Sequence, residues 1–372
     1  MLGGFELFPT LDTEVTYNSN IFALPPRATE TGPKQSPPDD AIFSINPRLV
    51  AELDRSALNL KADAHANFIR YASTPTENVN TFGISLDGVK RAGGAQTLAA
   101  SFSFDRAYQR RSDPEADLDQ GLPPVLINKA SGELRYQYQG ARIGLIIDLG
   151  VDNLNYLPAQ DADRDLTTYR GSIRGSVVVA PKISIYVEPF VNRRDARLRV
   201  DRNGIDRDDT TAGATGGIAV DLTDRLVGNV GLGVFHADPD DRTLRPFTGL
   251  AANGRLTWHP RVRTMVDFNL SRGDVATVRL GAIGRVDTNV GLSVDQEARH
   301  NLILHGGVGY RGVHYRNVAR DQHFITGEGE ARYLFNRVYS IVLNTTYTHR
   351  SAQVFRDRFN RWESTLGARF AF

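Results

Sequence analysis

The sequence predicts an all-β fold. It reads as a single transmembrane antiparallel up-and-down β-barrel of about 18 strands, with 16 the alternative, short periplasmic turns and long extracellular loops. Three observations predict it. Apolar and polar side chains alternate over segments of about ten residues, the period of a strand with two unlike faces. Short turns alternate with long polar loops. The last stretch, Arg361 to Phe372, keeps strict alternation to its end. There Trp362, Ser364, Leu366, Ala368, Phe370 and Phe372 share one face, and Glu363, Thr365, Gly367 and Arg369 the other.

Composition narrows the alternatives. The 372 residues are 41% hydrophobic and 23% charged, with 34 Gly, 2 Met and no Cys. An ordinary soluble chain of this length reads as about two domains. No run approaches the roughly 18 consecutive apolar residues of a membrane helix, so a helical membrane protein is excluded. A barrel is not, because its strands need only about ten alternating residues. The lack of Cys fits passage through an oxidising periplasm. A net charge of +1 says little about partners, and nucleic acid is not expected among them. The start, M-L-G-G-F-E-L-F-P, has no basic n-region and no apolar h-region, so a signal peptide is expected to have been removed.

In chain order, Leu7–Asn18 reads as the first strand, ending in Y-N-S-N-I-F from Tyr17 to Phe22. The Pro-rich segment from Leu24 to Asp40 reads as an extracellular loop or a plug. From Ile42 to Asp54, Phe43, Ile45, Leu49, Ala51 and Leu53 oppose Ser44, Asn46, Arg48 and Glu52. After the turn Asp54-Arg55-Ser56, Leu58, Leu60, Ala62, Ala64, Ala66 and Phe68 oppose Asn59, Lys61, Asp63, His65 and Asn67. Two alternating runs around a tight turn form a hairpin.

The rhythm continues. Short turns fall near Arg91–Gly94, Gln139–Gly140, Ala180–Lys182, Thr223–Arg225, Trp258–Arg261, Asp295–His300 and Asn336–Arg337. Long connections fall around Ser73–Val79, Gln109–Pro124, Asp152–Asp165, Asp195–Asp209, His236–Thr243, Arg272–Ala276, His314–Asp321 and Arg350–Phe359. An even strand count puts both chain ends on the short-turn side. The sequence does not fix the strand ends around Leu118–Tyr138 and Val278–Val294, which keeps 16 open. Unpaired backbone groups cost several kcal/mol each in hydrocarbon, so Leu7–Asn18 is expected to pair with Trp362–Phe372.

The expected outward face includes Ile143, Leu145, Ile147, Leu149 and Val151, then Ile183, Ile185 and Val187, then Val262, Val266, Phe268 and Leu270. Tyr136, Tyr138, Tyr310, Tyr333, Phe335, Tyr339, Tyr347, Trp258 and Trp362 lie near strand ends, where aromatic girdles meet the two interfaces. A soluble core would not gather them there.

Several stretches also resemble a known family. They are Tyr17-Asn18-Ser19-Asn20-Ile21-Phe22, Ile42 to Leu60 with its Asn46-Pro47 step, and Gly327 to Arg337. Tyr347-Thr348-His349-Arg350-Ser351 and the closing Leu366 to Phe372 complete the set. Together they resemble the putative β-barrel porin 2 family, single-domain outer-membrane proteins of Gram-negative bacteria. Its members are often encoded beside exopolysaccharide synthesis and export genes. The middle, roughly Leu118 to Leu270, agrees in rhythm more than in residues. The resemblance implies no catalytic motif and no cofactor. The terminal strand resembles the signal that outer-membrane barrels present to their assembly machinery, which would make Trp362, Leu366, Phe370 and Phe372 assembly residues. Implied partners are outer-membrane lipids, that machinery, and periplasmic polysaccharide-export components.

No hydrolytic constellation is present: G-x-S-x-G, H-E-x-x-H and Cys/His sets are all missing. His300, His305, His314 and His323 are spread over a barrel's height, with His305 alone facing the lumen, and cannot share a metal. The acidic stretch Asp152–Asp165 lacks the D-x-D-x-D-G calcium spacing. An enzyme is not expected.

The inward face tells more. Strand parity makes Arg135, Arg170, Arg174, Arg285, Glu133, Glu188, Asp267, Glu328 and Glu330 pore-lining, within an inward set whose surplus is slightly basic. Inward ions would be ruinous in a dry core and are cheap in a wet channel. Arg135, Arg170 and Arg174 opposite Glu328 and Glu330 would set a transverse field with weak anion preference. Local pairing along the wall is the alternative. Three functions follow: passive export of an anionic cargo such as an exopolysaccharide, general small-solute diffusion, or a plugged structural or adhesive barrel.

Overall fold

The structure, a computed structural model, describes residues 4–25, 37–116, 121–222 and 225–372. Its first nine strands are β1 (Glu6–Asn18), β2 (Asp40–Arg55), β3 (Leu58–Tyr71), β4 (Val79–Arg91), β5 (Gln96–Tyr108), β6 (Leu126–Gln139), β7 (Ile143–Tyr156), β8 (Leu166–Ala180) and β9 (Ile183–Ala196). The second nine are β10 (Asp209–Leu222), β11 (Leu226–Pro239), β12 (Phe247–Arg261), β13 (Thr264–Val275), β14 (Gly284–Arg299), β15 (Leu302–Arg316), β16 (Gln322–Leu334), β17 (Tyr339–Ala352) and β18 (Phe359–Ala371). Each pairs antiparallel with its sequence neighbours in one 18-stranded sheet, and β1 also pairs with β18. Closure leaves no free edge, as hydrocarbon demands. The count is thus 18, not the alternative 16.

The seam runs from Thr10↔Ala371 to Asn18↔Glu363. Its inward side is tied by Arg369, which donates twice to Asp12, at 2.7 and 2.8 Å. Beyond the ladder, Phe372 N donates to Pro9 O at 3.0 Å.

The outward apolar residues are exposed as a barrel in lipid requires. Leu149 is 53% exposed, Val187 61% and Leu366 59%. Among the described residues no dry centre fills the barrel; the buried apolar clusters gather toward the long-loop end.

Several strands outrun the boundaries that the alternation gave. β7 continues to Tyr156, β11 to Pro239 and β13 to Val275, so the connections after them begin later than expected. At the short-turn end β12 reaches Arg261 through a bulge after Trp258, and β14 reaches Arg299. The physical reason is shared. Past the apolar band both faces of a strand are polar, so the period-two signal fades while backbone pairing continues. The Pro-rich Leu24–Asp40 segment falls largely outside the described residues.

Candidate functional site: the inner wall and its closed mouth

Neighbouring strands place the inward charges in matched pairs. Arg135 on β6 donates to Asp148 on β7 at 2.5 Å and lies 3.4 Å from Glu133. Arg170 on β8 meets Asp152 on β7 at 2.8 Å. Arg174 on β8 donates to Glu188 on β9 at 2.6 Å and stacks 4.3 Å over the Tyr186 ring. Register sets these matches: Arg135↔Asp148 are direct partners across the β6–β7 ladder, and Arg170, opposite Gly150, reaches Asp152 diagonally. Opposite charges across a strand pair attract, and the pairs stay wet enough to need no further partners.

On the other side of the barrel, His305 lies between Asp295 at 2.9 Å and Glu328 at 3.2 Å. Glu330 accepts from Arg332 at 2.8 Å, and Asp267 accepts from the Thr257 hydroxyl at 2.5 Å.

The nine expected lining residues all sit on the inward face, but they do not form one ring. Arg174, Glu188 and Glu328 are near mid-strand. Arg135, Asp267 and Glu330 lie toward the short turns, Arg170 lies toward the long loops, and Arg285 is the second residue of β14. The arginines and the β16 carboxylates are therefore matched locally rather than opposed across the lumen. Asp12, Glu14 and Glu52 share this face, where Arg369, Ser44 and Lys61 are their partners.

The long-loop end is crossed by chain. The connection after β5 leaves Tyr108 and crosses to the far wall. Ser112 O accepts from Arg350 on β17 at 3.1 Å, and Pro114 O accepts from Arg279 at 3.2 Å. Glu115 meets Arg285 on β14 at 3.3 Å and accepts from the Thr277 hydroxyl. In an 18-membered ring β14 stands opposite β5, so this segment spans the full bore. Arg350 is 2% exposed and stacks over the rings of Phe359, at 4.6 Å, and Phe324, at 5.5 Å.

The segment after β1 folds in beside it. Asn18 Oδ1 accepts from Asn20 N at 2.9 Å, an Asx turn, and Asn20 Nδ2 donates to Leu24 O and Asn360 O at 2.8 and 3.1 Å. That turn drives Ile21, Phe22 and Ala23 inward. Ala23 takes a left-handed φ of 53° and packs among Val313, Tyr315, Phe324 and Phe359. A cavity of about 330 Å³ remains under this layer, lined in part by Glu115, Tyr156, Arg164, Arg194 and Arg285. Sequence reasoning offered a plug only in Leu24–Asp40 and missed the parts played by Ser112–Glu115 and Ile21–Ala23; the visible signal for the latter was Asn18 and Asn20 within Tyr17–Phe22.

The loops above are stitched by arginine. Arg202 donates to Asp163 at 2.6 Å and Arg197 to Asp165 at 2.9 Å. The Arg202 hydrogen bond holds the Asp163 carboxyl below the usual carboxylate range, although partial burial opposes it. These acids are engaged by guanidinium groups, and among the described residues no cluster of His, Asp and Glu is placed to hold a metal ion.

On the outer face of β18, Trp362, Leu366 and Phe372 are exposed and Phe370 is half-buried. Tyr339 meets Phe370 edge-on at 5.5 Å, and Tyr347 meets Trp362 at 5.9 Å. The expected assembly residues thus share one lipid-side strip.

Among solved structures, the outer membrane protein OpdK of Pseudomonas aeruginosa is similar at 10% identity and a TM-score of 0.49, covering 99% of each chain. The FrpB iron transporter of Neisseria meningitidis is similar at 9% identity and a TM-score of 0.49, over 98% of this chain and 81% of that one. The siderophore receptor PirA of Acinetobacter baumannii is similar at 9% identity and a TM-score of 0.46, over 99% and 80%. No curated protein matches the sequence. The family model described as putative beta-barrel porin 2 matches residues 1–372, and with its closed 18-stranded barrel the chain belongs to that family.

Proposed function

We propose that the protein is a gated channel of the Gram-negative outer membrane that passes polar cargo, with the loop after β5 as its gate. The carrying observation is the reach of Ser112–Glu115 across the bore to Arg350, Arg279 and Arg285. A general diffusion porin needs a standing opening, and this closure disfavours it. Export of an exopolysaccharide, which the family resemblance implies, remains within the proposal as one polar cargo. The wall supports neutral cargo as well as anionic, because Arg135, Arg170 and Arg174 each face a carboxylate.

Planar-bilayer recording tests the proposal with the wild type and a variant lacking Ser112 to Ala116. The wild type should be mostly closed, and the deletion should raise mean conductance about tenfold, which is about 1.4 kcal/mol of lost closure. Equal conductance, high in both, would dismiss the gate. Near-zero conductance in both would favour the plugged structural barrel, the reading that the buried segment Ile21–Ala23 supports.

A further inference from the structure

The cations at the short-turn end are spaced turn by turn round the rim. Arg55 closes β2, Arg91 closes β4, and Arg142 and Lys182 lie in the β6–β7 and β8–β9 turns. Round the remaining rim come Arg225, Arg263, Arg299 and Arg337, so every short turn brings at least one. All are exposed, and among the described residues none is held in an ion pair; pairs such as Lys61 with Glu52 at 3.0 Å and Arg332 with Glu330 at 2.8 Å lie further in along the wall. At the opposite end the cations are mixed: Arg111 is bound to Glu77, Arg320 to Asp357 and Arg202 to Asp163, while Arg110, Arg199, Arg242 and Arg356 are exposed in the loops.

Two surroundings could use such a ring: a cargo in the lumen or the leaflet outside. On the lumen side, the wall next to the rim carries both signs, Asp87, Asp221 and Asp267 among Lys61, Arg135 and Arg369. An acidic chain drawn in by the ring would find no continued basic surface there. The lipid side is apolar right up to the cations. Val262, between Arg261 and Arg263, is 101% exposed; Phe335 and Tyr339, flanking Arg337, are 61% and 48% exposed. Ile143, next to Arg142, is 58% exposed and Val179, before Lys182, is 56% exposed. At about 3.3 Å per residue, the cations lie within roughly 10 Å of that apolar surface, the depth of phospholipid headgroups.

We propose that this rim is a continuous docking surface for the anionic phosphate headgroups of the leaflet around the short-turn end. A complete ring matches a leaflet, which surrounds the barrel, better than a protein partner, which would call for charge on one arc. Guanidinium and ammonium groups bind phosphate by charge-assisted hydrogen bonds, and cations just beyond an apolar segment bind anionic lipid additively. The inference rests on the barrel's spanning a bilayer.

The test uses the full-length barrel in bilayers of phosphatidylcholine with spin-labelled phosphatidylglycerol or phosphatidylcholine as reporter. The wild type should hold phosphatidylglycerol in its first shell about threefold or more over phosphatidylcholine. Replacing Arg142, Lys182, Arg225 and Arg337 together by Gln should bring the ratio near one. A loop-end variant of equal charge change, with Arg110, Arg199, Arg242 and Arg356 replaced by Gln, should keep it. No preference in the wild type, retention in the turn variant, or equal loss in both variants overturns the proposal. Capture of poly-glutamate by the rim without any lipid preference also overturns it, in favour of an acidic polypeptide. A wild-type chain that does not enter the bilayer sinks the membrane reading itself, whereas entry without preference sinks this inference alone.

Discussion

Asp163 shows how a single residue can set the conditions under which the loop layer holds. Its carboxyl is pulled below its ordinary range by Arg202, so the ionised form is the one the fold stabilises. A depressed carboxyl contributes above its unfolded pKa, about 3.9, and is lost as pH falls through the lower folded value. The tie between the loops after β7 and β9 should therefore persist from neutral to mildly acidic pH and give way only below about pH 4. Hydrogen exchange of the 157–165 amides, corrected for intrinsic rate, should show that onset. Arg202→Gln should move it upward. An onset above pH 5 in the wild type would contradict the assignment. Neither Asp163 nor its partner could be paired from sequence, because nothing periodic relates two residues in different irregular loops.

Among the elements, the inner face of β9 to β11 shows why particular glycines stand in strands. Tyr186 lies flat along the wall, its hydroxyl donating to Asn253 on β12 at 3.0 Å. The ring crosses Gly217 on β10 and Gly231 on β11. A Cβ on Gly217 would strike Val230 O and come within 2.7 Å of the Tyr186 ring. Since backbone on one side and an anchored ring on the other cannot both give way, Gly217→Val should cost about 1–3 kcal/mol. Thermal unfolding of the barrel in detergent would measure it; an unshifted midpoint would show that the ring lies elsewhere. The spacing of connections had placed this glycine's strand correctly, between Asp195–Asp209 and Thr223–Arg225. What it could not supply was the register between strands, which decides that Arg135 faces Asp148 and that Tyr186 covers Gly217.

For the molecule as a whole, strand number, closure of the first strand on the last, and the separation of greasy and charged faces were legible from residue patterns. Each depends on local periodicity or on the backbone's need for partners in hydrocarbon. The folded-in mouth was not legible, because Ser112 and Glu115 owe their partners to a barrel diameter rather than to neighbours in the chain.

The latch on that mouth has a consequence for the waters in which the protein works. Arg350 is shut between two phenylalanine rings and grips a main-chain carbonyl, while Arg135 and Arg170 are about half exposed beside their carboxylates. Raising ionic strength from about 0.1 to 1 M shortens the Debye length from about 10 to about 3 Å, which screens the exposed pairs and hardly touches the buried one. The fraction of time spent closed should thus change less than about twofold over that range. A large rise in opening with electrolyte, recorded at a single channel, would show that the latch is wetter than it looks. A bolt of this kind would stay shut in brine as in fresh water.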